Sequence, residues 1–160
     1  MCPLSKSIPL LERRAIEAEM LLRVYDASCA AVGSAVALGI LEQAVDSAAL
    51  AAGRLFARSA PVGGPSLAHF ATVLERWQEG GVIDITDIKH AEDTLSFTVK
   101  RCGYVQRYAD LGVPASLHTV FSCRRDAAFA EGYSANLRME RPETIAQGHT
   151  CCRFTFRWEP

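Results

Sequence analysis

The sequence holds no unbroken run of about 18 apolar residues, the least that a membrane-spanning helix needs, and its opening Met-Cys-Pro-Leu-Ser-Lys-Ser contains no apolar signal core. It also lacks an excess of either charge, with 17 Lys and Arg against 18 Asp and Glu and a net charge of −1. Acids and bases alternate, so there is no basic stripe for nucleic acid and no polybasic patch for anionic lipid. Internal repeats, low-complexity tracts and linkers long enough to divide the chain are missing as well. Together these absences predict one soluble cytoplasmic domain over residues 1–160. Its expected partner is a small-molecule substrate, with no nucleic acid and no membrane, and with room for self-association into a homo-oligomer.

Cysteine is not scarce. Of six cysteines, Cys102, Cys123, Cys151 and Cys152 fall in the second half of the chain, where Asp126 and His149 also stand. A domain of 160 residues buries enough apolar surface to fold without metal or disulfide staples. In a reducing cytosol these thiols are expected to be free, catalytic or metal-bound rather than paired.

The first half reads as helix. From Pro9 to about Val32 the apolar residues Leu11, Ala15, Ala18, Leu22 and Tyr25 recur at helical spacing, with Glu12, Arg13, Arg14, Glu17, Glu19 and Arg23 mostly between them as a solvated face. Gly33 and Ser34 interrupt it, and the Ala- and Leu-rich stretch from Ala35 to Ala60 predicts a second helix. Its small residues Ala48, Ala49, Ala51, Ala52 and Gly53 suit close approach to a neighbour. A breaker cluster, Pro61 to Pro65, precedes Ser66, the expected cap of a third helix reaching about Glu79. His69 on that helix reads as a satisfied structural residue.

After Gly81 the period changes to two. Val82 to Ile88 and Leu95 to Cys102 alternate apolar with polar around a turn at Ala91 to Thr94, which predicts an antiparallel hairpin. Leu95, Phe97 and Val99 share one face, and alternation sends Cys102 to the other with Ser96, Thr98 and Lys100. A short helix is expected from Tyr104 to Leu111, and another from Pro114 to Glu131 that carries Cys123 and Asp126 three apart on one face. Asn136 to Arg141 and Thr150 to Trp158 predict two more strands. In the last, Cys152, Phe154, Phe156 and Trp158 point one way and Cys151, Arg153 and Arg157 the other. The expected fold is therefore α+β: an antiparallel sheet of about four strands covered on one face by helices, behind a helical N-terminal half.

Three accounts of the thiols are open on the residues alone. Cys102, Cys123 and Cys152 could be small buried hydrophobes. They could hold zinc or iron, with Cys123, Cys152 and His149 or Asp126 as the ligands, although there is no C-x-x-C pair and no finger or ribbon spacing. Or Cys123, followed by Arg124 and Arg125 and with Asp126 one turn on, could be a nucleophile.

The motifs Cys102-Gly-Tyr, Tyr108-Ala-Asp-Leu-Gly112, Cys123-Arg-Arg-Asp126, Glu131-Gly-Tyr, Arg141-Pro-Glu-Thr144-Ile and Gly148-His-Thr-Cys-Cys152-Arg-Phe154 occur in an order and spacing that resemble the L-2-amino-thiazoline-4-carboxylic acid hydrolase family. Arg14-Ala-Ile-Glu17-Ala with Val24-Tyr25 extends the likeness to the first helix. The resemblance implies hydrolytic opening of a small sulfur- or nitrogen-containing ring at an amidine-like carbon, giving an N-carbamoyl product. Such a reaction needs a nucleophile, a proton for the leaving group and a cation for the substrate carboxylate. Cys123, Asp126 and Arg153 are expected in those roles, with Cys152 joining the catalytic set and Cys102 and His149 contacting substrate. No cofactor is expected on this reading. The ending G-x-x-x-C-x-F, after a cysteine-bearing helix, is also similar to 4-vinyl-reductase-like ligand-binding domains, which keeps a non-catalytic binder or sensor as the alternative.

Overall fold

A computed structural model describes residues 8–159. The chain begins with two long helices, Leu10–Val32 (α1) and Ser34–Ala57 (α2). They are split at Gly33, whose φ of 84° is open to glycine at little cost. In α2 the buried residues Ala37, Leu41, Val45, Ala49 and Gly53 recur every fourth position and form its packing stripe. By length and composition α2 could cross a membrane, which amends the reading that no segment is long enough. Its stripe is buried against protein.

Beyond α2 the expected third helix is broken into Leu67–Ala71 (α3) and Val73–Trp77 (α4). The Thr72 hydroxyl donates to the His69 carbonyl at 2.7 Å, a local bond that competes with the helical ladder at the break. Ser66 caps α3 as expected, its hydroxyl accepting the His69 N–H at 3.2 Å. The His69 ring stacks on Phe56 and lies 2.9 Å from the Tyr133 hydroxyl, a satisfied structural histidine.

The strands Ile83–His90 (β1) and Thr94–Cys102 (β2) form the hairpin. The helix Gly103–Asp110 (α5) comes next, and then a long helical stretch made of Ala115–His118 (α6), a π-helical segment Thr119–Cys123 and Arg124–Tyr133 (α7). Leu137–Glu140 (β3) and Cys152–Trp158 (β4) complete one antiparallel sheet of order β1-β2-β4-β3. The architecture is α+β, with the helical N-terminal half and four-stranded sheet that the periodicities predict.

On the inner face of the sheet Leu95, Phe97, Val99, Cys152, Phe154 and Phe156 are buried under α3, α4 and α7. Phe97 and Phe154 stack across neighbouring strands at 4.8 Å. A second apolar cluster joins α1 and α2 to α5, α6 and the π segment through Leu41, Val45, Tyr108, Leu117 and Phe121.

A close crossing and a strand irregularity shape the interior. Helices α2 and α7 cross at glycines: a Cβ on Gly53 would collide with the backbone of Phe129 and Tyr133, and one on Gly132 with the backbone of Leu50. The irregularity is a bulge in β2. Cys102 pairs with Ile83 and Arg101 with Asp84, but Val99 pairs with Ile85, so Lys100 is an extra residue. Lys100 and Arg101 both face solvent, and the alternation inverts beyond them. Cys102 consequently points inward with Ile83, which corrects the expectation that it shares a face with Ser96, Thr98 and Lys100.

Candidate active site

A cavity of about 430 Å³ opens between α1, α2, α4, the π segment and the inner face of the sheet. Cys102, Cys123, Asp126 and Cys152 all line it, delivered by three different devices. Strand alternation turns Cys152 inward, the bulge does the same for Cys102, and the helical stretch carries Cys123 and Asp126 one turn apart. Cys123 is the last residue of the π segment. Single π turns within α-helices recur at functional sites because they free backbone groups and re-aim side chains. Here the Phe121 carbonyl accepts from Arg125 Nε at 2.8 Å, and the Cys123 carbonyl accepts from Arg141 Nη2 at 2.9 Å.

Arg141 is the cation nearest this chemistry. Its Nη1 donates to Asp126 Oδ2, its guanidinium lies 5.0 Å over the Phe154 ring, and its buried Nε has no partner. Arg141 lies one residue beyond β3, in the stretch that leads to a 3-10 turn at Ile145–Gln147. From that turn the Ile145 N–H donates to Cys152 Sγ at 3.2 Å.

Further around the wall stand Arg13 and Arg14, half-buried, with Arg76 at the exposed rim and Tyr104 beside them. This corrects the first-helix charges from a wholly solvated face. The narrow buried stripe of α1, Ala15 and Ala18, leaves its flanking arginines facing inward. Glu17 is shared among Arg13 (3.7 Å), Arg14 (2.6 Å) and Arg125 (3.0 Å). With Asp126 paired to Arg141, the wall keeps an excess of guanidinium charge, which suits an anionic ligand.

The thiols are held protonated at neutral pH. Burial pushes Cys123 up to about 12, and the Asp126 carboxylate beside it adds to the shift while Arg141 opposes it. Burial likewise raises Cys102 and Cys152, offset at Cys152 by the Ile145 N–H. Asp126 is itself raised, by burial first, against the pull of Arg141. Arg13 is lowered by burial and then by Arg14.

Two expected contacts lie elsewhere. Arg153 projects from the outer face of the sheet, 67% exposed, and pairs with Glu143 at 3.0 Å; strand alternation opposite Cys152 puts it there. His149 is exposed in the loop before β4 and does not line the cavity. Nor do the neighbours of Cys123 act on its sulfur: Arg124 is bound bidentately to Asp46, and Arg125 to Glu17 and the Phe121 carbonyl. Among the described residues no group of three or more His, Cys, Asp or Glu side chains is gathered so as to hold a metal ion. The donor set Cys123, Cys152 and His149 or Asp126 therefore does not fit one.

Sequence reasoning missed Arg13, Arg76, Tyr104 and Arg141 as wall residues. Tyr104 and Arg141 lie within motifs that carry the family resemblance, the one signal that could have singled them out. A family model described as L-2-amino-thiazoline-4-carboxylic acid hydrolase matches residues 13–156. No curated protein matches the chain.

Proposed function

Since the chain belongs to the L-2-amino-thiazoline-4-carboxylic acid hydrolase family, we propose that it hydrolyses a small cyclic amidine or amide, breaking the ring C–S or C–N bond to leave an N-carbamoyl product. The family description names a hydrolase. The observation that carries the finer reading is the meeting of Cys123, Asp126 and Cys152 in one cavity whose wall is otherwise rich in guanidinium groups. A ring carboxylate is held by that charge. The amidine carbon then faces the thiols.

In the first step the Cys123 sulfur attacks the ring carbon as Asp126 accepts the thiol proton. The raised Asp126 carboxyl is a stronger base than an ordinary aspartate, which narrows the gap to a thiol of about 12. The ring C–S bond breaks and the departing sulfur takes the proton from Asp126. This leaves an amidino group on Cys123. Water adds to that carbon, Cys123 departs as the leaving group and recovers a proton, and the carbamoyl product is released. Arg141 holds Asp126 in place, and Cys152 borders the reacting carbon.

Separate Cys123→Ser and Cys152→Ser variants, assayed for opening of 2-aminothiazoline-4-carboxylate alongside circular dichroism, test these roles. Loss of nearly all turnover in folded Cys123→Ser is expected, with a smaller loss in Cys152→Ser. A folded, fully active Cys123→Ser protein would sink the covalent route. One observation favours a second reading, a non-catalytic small-ligand binder: the buried thiols are shifted toward inertness. Ligand binding without any turnover in the unaltered protein would decide for it.

A further inference from the structure

The cavity is larger and more aromatic than a bare ring acid requires. Its volume of about 430 Å³ lies within the range of roughly 300–1,000 Å³ that accommodates drug-sized ligands. An aminothiazoline carboxylate would leave much of it to water. That water would lie against Phe56, Trp77, Phe129 and Phe154, which line the cavity in a linked series. Trp77 to Phe154 is 6.5 Å between ring centroids, Trp77 to Phe129 is 6.2 Å, and Phe56 to Phe129 is 5.7 Å. Phe56, Trp77 and Phe129 are only half-buried. Aromatic surface left bare inside a concave site signals an apolar ligand group.

Arg13 stands on the same wall. Its buried Nε has no hydrogen-bond partner, and the nearest Glu17 oxygen, at 3.7 Å, belongs to a carboxylate shared with Arg14 and Arg125. With that carboxylate shared three ways and 31% of the Arg13 side chain still accessible, the Arg13 guanidinium is open to a further acceptor. We infer that the ligand is a ring acid with its carboxylate on Arg13 and an aromatic or branched apolar substituent against Trp77 and Phe129. The inference rests on the proposed ring-opening reaction for the nature of the ring, and on the cavity wall for the remainder.

The test compares 2-aminothiazoline-4-carboxylate with its 5-phenyl derivative on the unaltered protein, by isothermal titration calorimetry and by release of the ring thiol. The phenyl acid should bind at least about tenfold tighter, the gain expected from burying part of a ring. Trp77→Leu and, as a second variant that trims the neighbouring ring, Phe129→Leu should each weaken the phenyl acid more than the parent acid and so shrink that preference. Arg13→Gln should weaken both acids but not the 5-phenyl carboxamide. Equal affinity for the two acids on the unaltered protein would overturn the inference, even if both are opened and the hydrolase reading stands. Preferential binding of the phenyl acid without thiol release would support the ligand class while removing the hydrolase reading.

Discussion

The two faces of the sheet beside β4 carry the same kinds of residue in opposite circumstances. On the inner side Arg141 meets Asp126 with its guanidinium stacked over Phe154, and Cys152 lines the cavity. On the outer side Arg153 meets Glu143, and Cys151 lies 3.9 Å from that same carboxylate. Each side has an arginine, a carboxylate and a buried thiol, yet only the inner arginine is withdrawn from water. Arg141 is 10% exposed and Arg153 is 67% exposed. Withdrawn charges cost desolvation that a solvated pair does not, so a fold that keeps them there is spending stability on a site.

The sharpest way to break this comparison is Arg141→Met. It leaves the Asp126 carboxylate facing the cavity without its partner. The expected destabilisation is about 3 kcal/mol, the low end for a broken buried pair, because Asp126 keeps 26% of its side-chain surface exposed. Turnover should be lost as well. Urea midpoints check the first part, and the double variant with Asp126→Asn should recover much of the stability but no activity.

The thiols sharpen it through pH. With Cys123 held near 12 against an ordinary thiol value of 9, its alkylation by iodoacetamide in the folded protein should stay slow through pH 9 and rise toward 12. In urea the rise should come near 9. The folded form holds the proton more tightly, so this contribution to stability is intact below about 9 and fades as pH climbs toward 12. Mass spectrometry of the labelled peptides reads both curves. Alkylation of native Cys123 that already plateaus by pH 8 would contradict the burial of its sulfur.

The smallest effect belongs to the outer face. Arg153→Ala should change stability by no more than about 0.5 kcal/mol and leave turnover unaltered. A large loss of activity in that variant would mean that the outer arginine reaches a ligand after all.

Much of this contrast was legible in the sequence, and the exceptions have physical causes. Period-two alternation alone put Phe97, Val99, Phe154, Phe156 and Cys152 on one face and Arg153 on the other. The role expected for Arg153 conflicted with that alternation, since a strand residue beside an inward Cys152 must point outward. Cys102 was hidden by one inserted residue, Lys100, because a bulge leaves no compositional mark. Arg141 was hidden because its direction is set by Asp126 and the Cys123 carbonyl, 15 and 18 residues away in the chain. Arg13 and Arg14 were hidden by resembling any solvated helix face; only the packing of α1 turns them inward. The cavity's aromatic wall draws on α2, α4, α7 and β4 together, and no local window of sequence contains it.

The π segment has a consequence for insertions and deletions. A π turn amounts to one residue more than the α ladder requires, so deleting Ser122 would let α6 run into α7 as a regular helix. Each residue of an α-helix turns about 100°. Because α7 is anchored where Gly132 meets Leu50, the correction would fall on what precedes it, swinging Phe121 and the rest of the upstream stretch around the helix axis relative to Asp126. Such a shortened chain could be the more regular protein and the poorer catalyst, which makes the length of this stretch, as much as the identity of its residues, a quantity that selection for activity would hold fixed.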